Sequence, residues 1–305
     1  MRIVSAGEVL WDVIGDQEFL GGAPLNFSVS SQRLGNEVAL VSAVGADRRG
    51  ERAIQAIEAL GLNTKFIGVV ADHETGAAIV TTDESGNATF AIKRPAAFDF
   101  LDIDDLLLSH LAAIRPDWIY FGTLAQTNGN NETMLHRLVA SVPKARCFYD
   151  LNLREGHWSF DLVRRLSGLA SVIKLNEFEA ETLYRLTCPM EQPSLESFCR
   201  CWSQMYGTKI ICVTLGERGC AIWENDTFRT FAGFRVKVVD TVGAGDAFSA
   251  AFLHGLDLSW PMERTALFAN ALGAIVASRA GATPPWTVEE ILRLVETAPR
   301  GGDSN

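Results

Sequence analysis

Asp240-Thr241-Val242-Gly243-Ala244-Gly245-Asp246-Ala247-Phe248, continued by the apolar run Ser249-Ala250-Ala251-Phe252-Leu253, reads as a glycine-rich turn opening a helix. The preceding stretch, Phe234 to Val239, reads as the strand that feeds it. Small residues at such a turn let successive backbone N–H groups converge. The free donors and positive dipole end of the helix then add to an anion site suited to phosphate, here Gly243, Ala244 and Gly245. Asp246 stands at its lip, where a carboxylate can take a proton from a hydroxyl while the donors hold a phosphoryl group. A plain helix N-cap is the alternative reading of that aspartate.

Working outward, short apolar runs alternate with amphipathic stretches. Ile3 to Gly7, Val38 to Val44, Asp117 to Phe121, Arg146 to Asp150, Val172 to Leu175 and Ile210 to Thr214 read as buried strands. Pro24 to Leu34, Arg49 to Leu60, Leu101 to Ile114, Glu132 to Val142, Leu162 to Leu169, Glu177 to Leu186 and Leu195 to Tyr206 carry helical period. Alternation of this kind predicts a single α/β domain, doubly wound, with a mostly parallel sheet covered by helices on both faces. Ligands collect beyond the carboxyl ends of such strands.

Phe66 to Phe100 breaks the pattern: Ala77 to Thr82, a Glu84-Ser85-Gly86-Asn87 turn, then Thr89 to Lys93 make a β-hairpin signal. Two strands alone are marginal, so the flap must pack on the body, on other strands or on a second subunit. It is expected to form a small β lid from about residues 12–22 and 66–100, with a homodimer contact as a further role, or else to be a hairpin decorating a sheet edge. The end of the chain from Pro299 reads as frayed.

Composition narrows the partners. The 305 residues are 48% hydrophobic and 21% charged, with a net charge of −10. No Lys/Arg cluster supplies the stripe that nucleic acid requires. The six cysteines form no C-x-x-C pair and the five histidines are scattered, so no zinc spacing is present. Asp12 and Glu8 interrupt what would have to be a signal core, and no run approaches a membrane span. A reduced, cytoplasmic protein with small-molecule substrates is expected.

A match to Asp-Thr-x-Gly-Ala-Gly-Asp in a chain of this size is expected on the order of 10⁻⁵ times by chance. The string resembles the C-terminal signature of the PfkB family of carbohydrate kinases, which has the ribokinase-like fold. Gly21-Gly22-Ala23-Pro24-Leu25-Asn26 is similar to the family's N-terminal signature. The resemblance implies that Asp12, Gly21, Gly22 and Asn26 contact sugar hydroxyls. Taken from the residues alone, Gly21-Gly22 is equally a turn and Asn26 a solvated side chain. Val44-Gly45-Ala46-Asp47-Arg48-Arg49-Gly50 resembles a further family segment, expected to shape the floor of the site.

Asp150-Leu151-Asn152-Leu153-Arg154, with Trp158 beyond it, looks like the pattern of fructokinases and 2-keto-3-deoxygluconate kinases within the family. Arg154 suits the transferring phosphate or an acidic sugar, because its planar fork matches those oxyanions. The resemblance further implies that Asn176 and Glu179 organise phosphate and Mg²⁺, the metal through water. It implies that Thr214, Gly216 and Gly219 wall the ATP, that Asn270 lies beside adenine, and that Asp240 with carbonyls near Ala277 to Gly281 holds K⁺.

D-fructose is the substrate the motif set suggests, with a 2-keto-3-deoxy sugar acid next. Leu25 and Phe27 are bulkier than in many relatives, which bears on sugar preference. A non-catalytic sugar- or nucleotide-binding relative is the reading from a different class. A dinucleotide-binding oxidoreductase is disfavoured because Phe248 replaces the third glycine of its loop, and the absence of any Gly-Lys pair excludes a standard P-loop.

Overall fold

The computed structural model describes residues 1–82, 88–101, 103–187 and 194–297. The Glu84 to Asn87 turn, Cys188 and the end of the chain from Pro299 lie outside the described residues.

In chain order the strands are β1 (Arg2–Ala6), β2 (Leu10–Ile14), β3 (Gln17–Gly21), β4 (Glu37–Gly45), β5 (Ile67–Val70), β6 (Gly76–Thr82), β7 (Ala88–Ile92), β8 (Trp118–Gly122), β9 (Arg146–Asp150), β10 (Val172–Asn176), β11 (Ile210–Thr214), β12 (Cys220–Glu224) and β13 (Thr227–Phe231). The helices are α1 (Ala23–Arg33), α2 (Arg48–Ala59), α3 (Asp105–Ala113), α4 (Gly129–Ser141), α5 (Phe160–Ser167), α6 (Glu177–Thr187), α7 (Leu195–Tyr206), α8 (Ala244–Asp257), α9 (Met262–Ala277) and α10 (Val288–Glu296).

A nine-stranded sheet runs β13-β12-β11-β10-β9-β8-β1-β4-β5. It is parallel from β11 to β5 and closes with the antiparallel β12–β13 hairpin. Its central strands are apolar on both faces, as every residue of β8 is buried, which only a sheet covered on both sides can satisfy. One cover packs Leu135, Leu166, Leu183 and Trp202 from α4 to α7. The other packs Phe27 of α1, Phe252 of α8, Leu272 of α9 and Ile291 of α10.

The second sheet, β3-β2-β6-β7, takes its strands from two separate stretches of chain. The hairpin β6–β7 is joined to β2 by parallel pairing of Gly76 to Val80 with Leu10 to Ile14. One face carries Trp11, Val13 and Leu20 onto the α1–α2 side of the core. The other carries Leu10, Asp12, Ile14 and Phe19, with Ile14 and Phe19 exposed.

Two expectations differ from the structure, and one helix was not expected. Not all of Phe66 to Phe100 belongs to the flap, because Ile67–Val70 pairs with Ser42 to Gly45 and finishes the edge of the large sheet. Phe234 to Val239 is not a strand; it crosses from β13 to α8 without a sheet partner, and Val238 and Val239 are exposed. The chain also has α10, nucleated by a reciprocal capping box between Thr287 and Glu290. No helix among the described residues is long and apolar enough to cross a membrane.

Candidate active site

The parallel strands deliver their functional residues to one end of the large sheet. Gly7 and Glu8 follow β1, Asp150 ends β9, Asn176 ends β10 and Thr214 ends β11. Across them lies the first turn of α8. Its N-cap, Gly243, has φ +77°, and no side chain caps the helix. A Cβ at Gly243 would come within 2.0 Å of the Ala282 carbonyl oxygen, so only glycine fits both the left-handed backbone and the close approach. Ala244 N–H turns back to the Thr241 carbonyl at 3.2 Å, and the Gly245 and Asp246 N–H groups remain available to an anion.

Asp246 is 8% exposed and lies in that turn. Asn26 of α1 donates through Nδ2 to Asp246 Oδ2 at 2.9 Å. No donor among the described residues reaches Oδ1, which leaves it for a substrate hydroxyl. Burial, and then the nearby Asp150 carboxylate, push the Asp246 pKa up to about 6, against the opposing pull of Asn26, Lys174 and Arg154. Such a carboxylate is ionised near neutrality yet basic enough to receive a proton.

Beneath the turn lies a buried charge network. Lys174 of β10 donates to Asp150 Oδ1 at 3.0 Å and Oδ2 at 3.1 Å. Tyr120 and Ser249 hydroxyls donate to Asp150 Oδ2 at 3.2 Å and 2.8 Å. Burial acts to lower the Lys174 pKa, but Asp150, Glu179 and Asp246 outweigh it and hold the ammonium above its ordinary value. Lys174 Nζ lies 3.2 Å from where a Cβ on Gly245 would sit. A fixed cation thus adjoins the helix terminus.

Opposite stand the residues expected to meet a sugar. Gly21 ends β3, and a Cβ there would fall 2.6 Å from Asp12 Oδ2, so a side chain at that position would push the carboxylate aside. Gly22 is the N-cap of α1. Glu8 is 5% exposed; its Oε1 accepts from Ala23 N–H at 3.3 Å, and burial pushes its pKa up to about 7. Glu8 Oε2 and Asn26 Oδ1 are buried without a partner. Orphaned acceptors of this kind fit hydroxyl donors. The Arg154 charge acts on Glu8, Asp12 and Asp246 alike, and its guanidinium makes no ion pair or hydrogen bond among the described residues.

The residues expected on the ATP side fall into two groups. Asn176 and Thr214 are register neighbours on β10 and β11, and Gly216 opens the turn that follows. Gly219 and Asn270 converge instead on the segment after β13: Gly219 packs against Phe231 to Gly233, and Asn270 Nδ2 donates to the Ala232 carbonyl at 3.1 Å. Glu179 spends both oxygens on backbone, accepting from Leu153 at 2.6 Å and Asn176 at 2.7 Å. Asp240 accepts from Val242 and Gly281, each at 3.0 Å, and so meets the chain beyond Ala277.

Among the described residues no group of three or more His, Cys, Asp or Glu could hold a metal. That donor set fits Mg²⁺ only as an ion carried largely by phosphate oxygens and water. Sequence reasoning assigned no role to Lys174, Asp150, Ser249, Tyr120 or Glu8. A lysine inside the otherwise apolar Val172-Ile173-Lys174-Leu175 was a usable signal, since Lys174 and Asp150 are register partners on adjacent strands.

The chain resembles known proteins over nearly its whole length. The model of the pfkB family carbohydrate kinases matches residues 3–289. Fructokinase-1 of Zea mays is 31% identical, over 97% of this chain and 98% of its own length. Among solved structures, an ATP-bound fructokinase from Xylella fastidiosa superposes with a TM-score of 0.85 at 23% identity, over 97% of this chain and 98% of that one. A fructokinase double mutant from Vibrio cholerae O395, determined with fructose, ADP and potassium ion, gives 0.81 at 25% identity, over 96% and 98%.

Proposed function

The chain belongs to the pfkB family of carbohydrate kinases, and from that premise we propose that it transfers the γ-phosphate of ATP to a primary hydroxyl of D-fructose. The observation that carries the chemistry is a buried aspartate with one oxygen free, Asp246, at an uncapped helix N-terminus beside a fixed lysine. Asp246 takes the hydroxyl proton, and the backbone of Gly243, Ala244 and Gly245 with Lys174 holds the charge that develops on the phosphoryl oxygens. Asp12, Gly21, Gly22, Asn26 and Arg154 orient the sugar. Asn176, Thr214, Gly216, Gly219 and Asn270 form the ATP side. Glu179 would hold Mg²⁺ through water, where the ion would neutralise phosphate charge, and Asp240 with the carbonyls near Ala277 to Gly281 would hold K⁺.

Fructose is favoured by the fructokinase relatives. The unpaired guanidinium of Arg154 supports a second reading, a 2-keto-3-deoxy sugar acid, because it suits a carboxylate. ADP release measured with D-fructose, D-ribose, 2-keto-3-deoxygluconate and adenosine, in potassium and in sodium buffer, separates them. Fructose is expected to turn over fastest, and faster in potassium. A preference for the sugar acid that collapses in Arg154→Ala would replace fructose by the second reading, and equal rates in the two buffers would remove the K⁺ site.

The pH profile tests the base. An aspartate that works ionised, with a pKa raised to about 6, makes kcat/KM fall as pH drops through that value. Removing the neighbouring negative charge with Asp150→Asn lowers the Asp246 pKa, so the acid limb is expected to move to lower pH. A limb that stays in place or moves upward refutes the coupling.

We further propose that the four-stranded sheet acts as the lid and as a homodimer contact, because Phe19 and Ile14, on the same face as Asp12, are 46% and 48% exposed. Light scattering is expected to give a dimer that Phe19→Glu converts to monomer; a wild-type monomer would exclude this role.

A further inference from the structure

Ala280 to Trp286, the segment between α9 and α10, makes no backbone–backbone hydrogen bond among the described residues. Pro284 and Pro285 have no N–H to give, so the segment cannot build a ladder of its own. Yet it backs the turn that opens α8: the Ala282 carbonyl lies so close to Gly243, the N-cap, that no Cβ fits between them. Side chains must therefore hold the segment in place. Gly281 N–H is tied to Asp240 at 3.0 Å, and beyond Ala282 two guanidinium groups take over.

Arg33 Nη1 donates to the Thr283 and Pro284 carbonyls at 3.1 and 2.7 Å, and Arg279 Nη1 donates to the Pro285 carbonyl. Arg279 belongs to the stem of the same segment and also pairs with Glu290. Arg33 comes from the far end of the sequence, as the last residue of α1. A cation there ordinarily serves the last carbonyls of its own helix. This one is half-buried, burial lowers its pKa, and no carboxylate acts on it; its bonds go to the segment instead. The helix it stands on is a firm platform, because Leu25, Phe27 and Val29 are fixed in the core and Asn26 is bonded to Asp246 at 2.9 Å.

We propose that Arg33 is a positioning residue for phosphoryl transfer: from α1 it holds the Ala282 carbonyl on Gly243, and so keeps the α8 turn with its free Gly245 and Asp246 N–H groups aimed at the phosphoryl group. The role rests on the reading of that turn as the phosphoryl site. It makes α1 serve both halves of the reaction, with Gly22 and Asn26 on the sugar at one end and Arg33 behind the anion site at the other.

The test compares the full chain with Arg33→Ala and Arg33→Lys in two ways: steady-state kinetics with Mg·ATP and D-fructose, and hydrogen exchange of the protein without ligands, read by mass spectrometry. Arg33→Ala is expected to lower kcat about tenfold or more, because a small displacement of groups that meet the reacting atoms is costly. Fructose KM is expected to stay within about threefold, since Gly22 and Asn26 keep their places on α1. Arg33→Lys retains a cation on a shorter arm and is expected to recover part of kcat. In Arg33→Ala, exchange should quicken at Ala244 and Ala247, whose N–H groups are bonded to the Thr241 and Gly243 carbonyls at 3.2 and 2.9 Å, and stay unchanged across α1. An unchanged kcat, a loss carried by KM alone, or faster exchange confined to Ala280 to Trp286 overturns the role. Absent turnover in the wild type is failure of the kinase reading instead, and the exchange comparison then still decides whether Arg33 holds the α8 turn.

Discussion

Asp246→Asn is expected to lower kcat by about 10²–10⁴-fold while sugar KM stays within a few-fold, because a general base acts only in the transition state. The amide keeps an oxygen to accept from Asn26, as Asp246 Oδ2 does at 2.9 Å, so ground-state geometry is preserved. Stability should move the other way. Burial raises the Asp246 pKa from 3.8 to about 6, so the folded state disfavours the ionised carboxylate relative to the unfolded chain. That group's favourable contribution is full below the unfolded value and is lost as pH rises through the folded one. Above about pH 6 the wild type therefore carries a penalty on the order of 2–3 kcal/mol that the variant lacks. Urea denaturation of both proteins from pH 4 to 7 should show the variant gaining on the wild type across that window. Retained turnover would remove Asp246 from the mechanism, and parallel stability curves would remove the pKa argument.

What was legible in the sequence was what local pattern dictates. Arg146–Asp150, Ile210–Thr214 and Leu195–Tyr206 fall where their apolar period and bounding residues put them, Gly207 stopping the last in a left-handed cap. Phe234 to Val239 has the alternation of a strand, but it runs from β13 to α8 without pairing to either sheet. Ile67–Val70 fails in the opposite sense: its four residues carry little signal, yet β4 offers an open edge. Both outcomes depend on neighbours far away in the chain. The same holds within the site. The aspartate and its glycines are contiguous and so were readable, whereas Lys174 acquires meaning only through Asp150, 24 residues away, and Ser249, 99 away from Asp150.

Lys174→Met should separate what that network does for the fold from what it does for phosphate. The lysine and Asp150 form a buried pair with side chains 9% and 1% exposed. Removing the cation leaves a carboxylate in the core with only the Tyr120 and Ser249 hydroxyls for company, which is expected to cost about 3–5 kcal/mol. The variant should also lose about 10²–10³ in kcat, because a preorganised charge beside Gly245 and the α8 terminus serves the phosphoryl group as it gains negative charge. A single variant cannot divide these effects, but Lys174→Met combined with Asp150→Asn can. The amide no longer needs a counter-ion and keeps its acceptor for Ser249, so urea denaturation should show most of the lost stability restored. Turnover should stay low, since no cation has returned to the helix terminus. If the double variant instead regains kcat with its stability, Lys174 serves the fold alone, and the α8 N–H groups hold the transferring phosphoryl group without it.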